Sequence, residues 1–393
     1  MPVINRFAEL HDEIAAWRRD YHRHPELLYD VHRTAADVAK KLRGFGFDEV
    51  VEGIGRTGVV GVLKGEGRGP GGGAGKVVGL RADMDALPIQ EESGKPWASE
   101  TPRKMHACGH DGHTAMLLGA ARYLSETRRF AGTALFIFQP AEEGGAGGRA
   151  MVEDGLMDRF GVDEVYGMHN MPGLPLGHFA IRPGAMMAAT DMFAVDIDGL
   201  GGHAAQPHRT VDPVVTASAI VQEVQSIVAR NVDPIASAVV SVTTINAGDA
   251  FNVIPQRAKL TGTARSLDPL VRDLLERRLR EVVQNVAAAH GATAHFTYSR
   301  NYPVTVNHPE QTGKAVAVAR DVAGDANVDP HHPPVMGGED FSFMLEARPG
   351  AFIFVGNGDT AGLHHPAYDF NDAAINCGSS YWARLVETLM PAG

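Results

Sequence analysis

Only two cysteines, Cys108 and Cys377, occur among 393 residues. No disulfide framework can therefore hold the fold, and a reducing, cytoplasmic setting is expected. No stretch approaches the roughly 18 consecutive apolar residues of a membrane span. The opening MPVINRFAELHDEIAAWRRD has no apolar run of the signal-peptide kind. Basic residues are in deficit, with Lys+Arg 36 against Asp+Glu 47 and a formal net charge of −11. Such a chain is a poor partner for nucleic acid or an anionic membrane, so neither is expected. Internal repeats and low-complexity tails are missing as well.

What is present reads as an ordinary globular protein. Hydrophobic residues make up 44% and charged residues 21%, enough for a sizeable core and too apolar for disorder. The length fits two domains, three at most. Glycine is over-used, at 45 residues, which points to tight turns and close backbone approaches.

Periodicity divides the chain. Phe7, Leu10, Ile14, Trp17 and Tyr21 recur at three- and four-residue steps, predicting an amphipathic first helix. Helix is also expected over 34–43 and 114–126, with short apolar strands at 59–63, 77–80, 133–138 and 164–168. Buried strands alternating with helices predict a mostly parallel sheet with helices on both faces. The turn KGEGRGPGGGAGK is superficially phosphate-loop-like. Val77 stands where Ser or Thr is needed, however, and a strand follows instead of a helix. From about Met186 the order becomes strand–helix–strand–strand–helix–strand, with long helices over 212–230 and 268–290. That is a ferredoxin-like α+β unit. After about Arg300 the α/β pattern resumes, with a helix over 311–323 and a strand over 351–355. Residues 1–185 and 301–393 are thus expected to form one domain and 186–300 a domain inserted within it.

Ligands of open α/β sheets sit outside the carboxyl ends of the strands. Here those ends run into RADMD, QPAEEGG and His169. MHACGHDGH (105–113) adds Cys108 and His110 just before a helix, and GLHHPAYDFND adds His364 and His365. Sulfur, imidazole and carboxylate converging on one rim predict a transition-metal site. The Cys108-x-His110 spacing suggests two side chains on the same side of an extended segment. Glu142 and Glu143 are neighbours whose side chains point differently, so one can ligate while the other moves protons. A rival reading makes Cys108 a thiol nucleophile, but it leaves both glutamates, His169 and His364 without roles. His11, His22, His24 and His32 accompany helix signals and read as solvated or structural.

RADMDALPI, HACGHDGHTAMLLGAA, FQPAEEGGAGG, GGHAAQPHRTVDPV, NVIPQRAKLTGTAR, MGGEDFSF and LHHPAYDF follow one another along the chain. In these motifs the sequence resembles the N-acyl-amino-acid amidohydrolases of the hippurate hydrolase and auxin-conjugate hydrolase type. These fall within the aminoacylase and carboxypeptidase-G metallopeptidase superfamily. The resemblance implies two divalent metal ions held by Cys108, His110, Glu143, His169 and His364, with Cys108 bridging. It makes Glu142 the general base and Asp83 a carboxylate orienting the site. It further implies an N-acyl amino acid as small-molecule substrate, and a homodimer or homotetramer associating through an inserted lid and dimerisation domain. A thiolate ligand suits borderline metals and disfavours Mg²⁺, leaving Zn, Mn, Co or Ni. His203, in GGHAAQPH, is expected to donate to the developing oxyanion from a neighbouring subunit. Asn252 and Arg265 are expected to bind the substrate carboxylate, the guanidinium fork matching that group. Glu339 and Asp340 in GGED read as loop-shaping residues or as outer partners that orient the ligands. A dipeptidase or carboxypeptidase of the same superfamily is the alternative activity. A non-catalytic binder is disfavoured because Glu142 and Asp83 are both retained.

Overall fold

The computed structural model describes residues 4–68 and 75–393. The glycine-rich turn at 64–76 therefore lies partly outside the described residues. The chain forms two compact units. One runs up to Met186 and continues over Val306–Pro333 and Asp340–Gly393. The other comprises Met187–Thr305 and Pro334–Glu339.

The first unit begins with helix α1 (Asn5–Arg23), whose Phe7, Leu10, Ile14 and Tyr21 are buried at helical spacing. Helix α2 (His32–Gly44) follows, then the antiparallel pair β1 (Glu49–Ile54) and β2 (Gly58–Lys64). Next come β3 (Val77–Asp83), α3 (His110–Thr127), β4 (Thr133–Gln139), β5 (Glu164–Pro172) and the short β6 (Phe179–Ala180). Strands β2 to β5 are buried along nearly their whole length, as strands covered on both faces must be.

The second unit contains β7 (Ala189–Asp198), α4 (Pro213–Glu223), α5 (Gln225–Asn231), β8 (Ala238–Ala247), β9 (Arg257–Ser266), α6 (Pro269–Ala289) and β10 (Thr293–Tyr302). Its antiparallel sheet has the order β8-β9-β7-β10, the ferredoxin-like order anticipated from the sequence. Alternate residues of β7 and β9 are buried, and Val195, Leu260, Ile220, Leu279 and Val283 share one core. Asp212 and Asp268 cap α4 and α6, each accepting two backbone amides ahead of a proline at the first turn. The single helix expected over 212–230 is divided at Val224. Ile227 N–H there bonds back to Val224 O, a three-residue step that tightens the turn.

The chain then returns through α7 (Pro309–Ala323), β11 (Val328–Asp329), β12 (Gly350–Gly358) and α8 (Ile375–Leu389). The large sheet has the order β1-β2-β4-β3-β5-β12-β6-β11. Its centre, β4, β3, β5 and β12, is parallel. The antiparallel pairings involve β1, β2 and β6. Helix α3 packs on α1 and α8, burying Leu117, Leu118, Ala121 and Leu124 in the main core. Among the described residues no helix is long and apolar enough to cross a membrane.

Candidate metal centre

The parallel centre of the sheet brings chemistry to one edge. Asp83 ends β3 opposite Gln139, which ends β4 and leads into Glu142 and Glu143. Strand β5 continues to Pro172, so His169 lies within the strand and not just beyond it. Strand β12 pairs with β5 and leads towards His364. Cys108 and His110 arrive from the segment entering α3. His110 is already the first helical residue, and Gly109 before it has φ 91°. The extended Cys108-x-His110 segment expected from spacing is thus replaced by a left-handed turn. A Cβ at Gly109 would lie 2.4 Å from both Asn170 Nδ2 and Tyr368 Oη, so glycine alone fits.

Hydrogen bonds to groups that can only accept assign the imidazole protons. His110 Nδ1 donates to Asp85 O at 2.8 Å, leaving its Nε2 buried without a hydrogen-bond partner among the described residues. His169 Nδ1 donates to Asn170 O at 2.6 Å. Its Nε2 lies 3.3 Å from Cys108 Sγ. His364 Nε2 lies 3.3 Å from Glu143 Oε1, a buried oxygen that stands 3.9 Å from His110 Nε2. Cys108, His110 and His169 form one group of donor atoms within 4.8 Å of one another, and Cys108, Glu143 and His364 another. The two groups share the sulfur.

This donor set fits divalent metal. Buried lone pairs without donors are costly unless a cation takes them up. The electrostatics agree. Burial, then the charges of Glu143, Glu142 and Asp83, push the Cys108 thiol well above its usual range. Burial works against protonation of His110, yet Asp83, Asp85 and Glu143 raise it to about 10. Burial and the neighbouring histidines instead hold His169 well below its usual range, and a coordinated cation would deprotonate the Cys108 thiol outright. The upward shift of that thiol argues against an isolated thiol nucleophile, which needs a depressed pKa.

Around these donors sits a buried polar frame. Arg81, fully enclosed, donates to Asp83 Oδ2 at 2.7 Å, Gln139 Oε1 at 2.9 Å and Asp340 Oδ1 at 3.0 Å. Asp83 Oδ1 accepts from His113 Nδ1 at 2.7 Å. Burial opposes ionisation of Asp83, but His110, Arg81 and His113 hold its carboxyl well below the usual range. Asn170 Nδ2 donates to Cys108 O at 2.6 Å, and Tyr368 Oη donates to Asn170 Oδ1 at 2.8 Å. Asp85 Oδ1 and Oδ2 accept the backbone N–H groups of Glu142 (2.9 Å) and Glu143 (3.1 Å). The preceding Ala141 has φ 56°, a left-handed conformation costing about 1 kcal/mol for a residue with a side chain. It is held by its N–H to Leu28 O at 3.1 Å and by Gly147 N–H to its own carbonyl at 3.1 Å.

Of the residues singled out from sequence, Asp83, Cys108, His110, Glu142, Glu143, His169 and His364 all belong to this neighbourhood of the first unit. His203, Asn252 and Arg265 belong to the second unit. His203 pairs with Val253, and Ala204 N–H donates to Asn252 O at 3.1 Å, making His203 and Asn252 close neighbours. Arg265 is half-buried on β9. Burial lowers its guanidinium pKa against the charge of Asp191. Asp340 proves to be an anchor for Arg81. His22 is structural, buried between Asp111 (2.8 Å) and Glu91 (3.2 Å). Sequence reasoning missed Arg81, Asp85, His113 as a partner of Asp83, and Asn170. The only available signal for Asp85 was its place two residues after Asp83.

The sequence pattern of peptidase family M20/M25/M40 matches residues 79–388. The chain is 43% identical to the hippurate hydrolase of Campylobacter jejuni, over 98% of each chain. It is 38% identical to a Bacillus subtilis N-acetylcysteine deacetylase, over 95% of this chain and 96% of that one. A crystal structure from Bacillus subtilis, described as a dinuclear metal binding peptidase of the M20 family, superposes with a TM-score of 0.83. It shares 34% identity and covers 98% of this chain and 99% of that one.

Proposed function

The chain belongs to peptidase family M20/M25/M40, and from that membership together with the site geometry we propose that it hydrolyses the amide bond of N-acyl or N-aroyl amino acids. The observation that carries this reading is the convergence of Cys108 Sγ, His110 Nε2, His169 Nε2, Glu143 Oε1 and His364 Nε2. In this reading those five side chains would hold two divalent ions, from among Zn, Mn, Co and Ni, and the Cys108 thiolate, common to both donor groups, would favour such borderline metals over Mg²⁺. When bound, the ions lower the pKa of a coordinated water to about 7 and polarise the amide carbonyl.

The remaining work falls to the chain itself. Glu142 takes the proton of the attacking water at a carboxylate oxygen and returns it to the leaving nitrogen, a transfer worth roughly 10²–10⁴-fold. Asp83, fixed by Arg81 and His113, orients the site beside His110. His203 donates to the developing oxyanion from a neighbouring subunit of a homodimer or homotetramer associating through the second unit. Asn252 and Arg265 receive the carboxylate of the amino-acid product. The buried thiol ligand supports a reducing, cytoplasmic setting.

The test is a substrate panel on protein of defined metal content, comparing benzoylglycine, N-acetyl amino acids and dipeptides. Preferential turnover of the acyl and aroyl amino acids is expected, and preference for dipeptides would transfer the assignment to a dipeptidase. Glu142→Gln should keep its metal while turnover collapses by at least about 10²-fold; a variant that stays active removes Glu142 from the base role.

A further inference from the structure

Asp85 is a buried carboxylate that the chemistry above does not use, yet it touches three components of the centre. Oδ1 accepts from the Glu142 amide at 2.9 Å and Oδ2 from the Glu143 amide at 3.1 Å. Its backbone carbonyl accepts His110 Nδ1–H at 2.8 Å. The residue is fixed in turn, since its neighbours Met84 and Ala86 donate their amides to Gln139 O at 2.9 Å and Glu26 O at 2.8 Å.

Two successive N–H groups pointing the same way cannot belong to one strand, where they alternate. Two acceptor oxygens side by side, with no donor between them, suit both amides at once, and a carboxylate presents that pair. Asparagine has nearly the same shape but turns one of its two ends into a donor, which would face an N–H. The left-handed Ala141, φ 56°, swings both amides towards Asp85. The Glu142 and Glu143 side chains leave the same clamped peptides and are thereby placed relative to each other.

Resting on the reading of Glu142 as base and Glu143 as ligand, we propose that Asp85 is the positioning residue of this centre: its carboxylate sets the spacing of base and ligand, while its carbonyl presents His110 Nε2 to the metal. A carboxylate placed this way acts through its neighbours and need not touch substrate.

The experiment compares wild type with Asp85→Asn by residue-resolved amide exchange, by the visible spectrum of the Co²⁺-loaded protein and by steady-state kinetics on benzoylglycine. In the wild type, the Glu142 and Glu143 amides are expected to exchange at least about 10²-fold more slowly than in an unfolded chain. Asp85→Asn should lose at least tenfold of that protection and show altered Co²⁺ bands. Its metal affinity should weaken by roughly 10–100-fold. At saturating metal, kcat should fall about 10²-fold with KM changed by less than about threefold. Wild-type amides exchanging within about tenfold of the unfolded rate would overturn the proposal. So would an Asp85→Asn protein with unchanged Co²⁺ bands and kcat. Should Asp85→Asn fail to fold, the exchange measurement on the wild type decides alone. Failure of the wild type to cleave any N-acyl amino acid would sink the proposed function instead, leaving exchange and spectrum to judge the clamp.

Discussion

The backbone N–H of Asn170 donates to Nε2 of His113 at 2.9 Å, and this bond sets His113 apart from His110. His113 gives its other nitrogen, as donor, to Asp83 at 2.7 Å. Both ring atoms are therefore committed within the protein. His110 and His169 each spend Nδ1 on a backbone carbonyl and, in the proposed reading, offer Nε2 to a cation. His113→Gln should thus keep the full metal complement, while His169→Ala should lose at least one equivalent. Metal analysis of the dialysed variants checks both, and loss of metal from His113→Gln would move His113 into the ligand set.

Removal of the metal should abolish turnover and lower the melting temperature. At free metal a thousandfold above Kd, binding contributes about 4 kcal/mol, on the order of 5–10 °C for a chain of this size. Re-addition of Zn, Mn, Co or Ni to the chelated protein should restore both, read by calorimetry and benzoylglycine hydrolysis. Activity that survives chelation would favour a thiol mechanism.

His203→Ala should lower kcat by about 10²–10³-fold, the usual effect of deleting one oxyanion donor, with metal content unchanged. Mixing this variant with Glu142→Gln should regain activity if His203 serves the neighbouring subunit, because hybrid oligomers then contain intact sites. No recovery in subunit-exchanged mixtures would place His203 in the same chain as the centre it serves.

Arg81 offers a stability test. It is fully enclosed and pairs with Asp83 and Asp340, so Arg81→Met takes from two buried carboxylates the cation they share. The expected loss is about 3–5 kcal/mol in urea unfolding. Adding Asp340→Asn should recover part of it, since one of the stranded charges is gone.

The acid limb of stability should carry a contribution from Glu164. Burial works against its ionisation, but hydrogen bonds from Lys314 (2.7 Å), Lys76 (2.9 Å) and Tyr166 (2.8 Å) lower it from 4.5 to about 2. A depressed carboxyl stabilises the fold above its unfolded pKa. Its contribution is therefore complete above about pH 5 and lost as pH falls from about 4.5 towards 2. Glu164→Gln should destabilise by about 1–2 kcal/mol at pH 7 and flatten the unfolding profile in that window.

Much of this was legible in the amino-acid order. Strands β2 to β5 and β12 announce themselves as apolar runs, because central strands must be buried on both faces. The ligand types also announce themselves, since cysteine, histidine and paired glutamates crowd into short glycine-flanked motifs. What could not be read is which atoms are already spent. Nothing in HACGHDGH distinguishes His110 from His113, because the difference lies in Asp85 O and the Asn170 amide, both remote in sequence. The start of α3 at His110 was hidden too, as a left-handed Gly109 supplies no capping side chain. The pause at Val224 rests on one backbone bond that composition does not encode.

The order of manufacture is also constrained. Strand β5 finds its parallel partner β12 only after the second unit has been translated, and His364 lies beyond β12. During synthesis Cys108, His110, Glu143 and His169 are therefore all made well before His364, with the whole second unit between them. Of the side chains proposed to hold metal, four can assemble early and the fifth arrives late, so the proposed set closes only when that late segment docks.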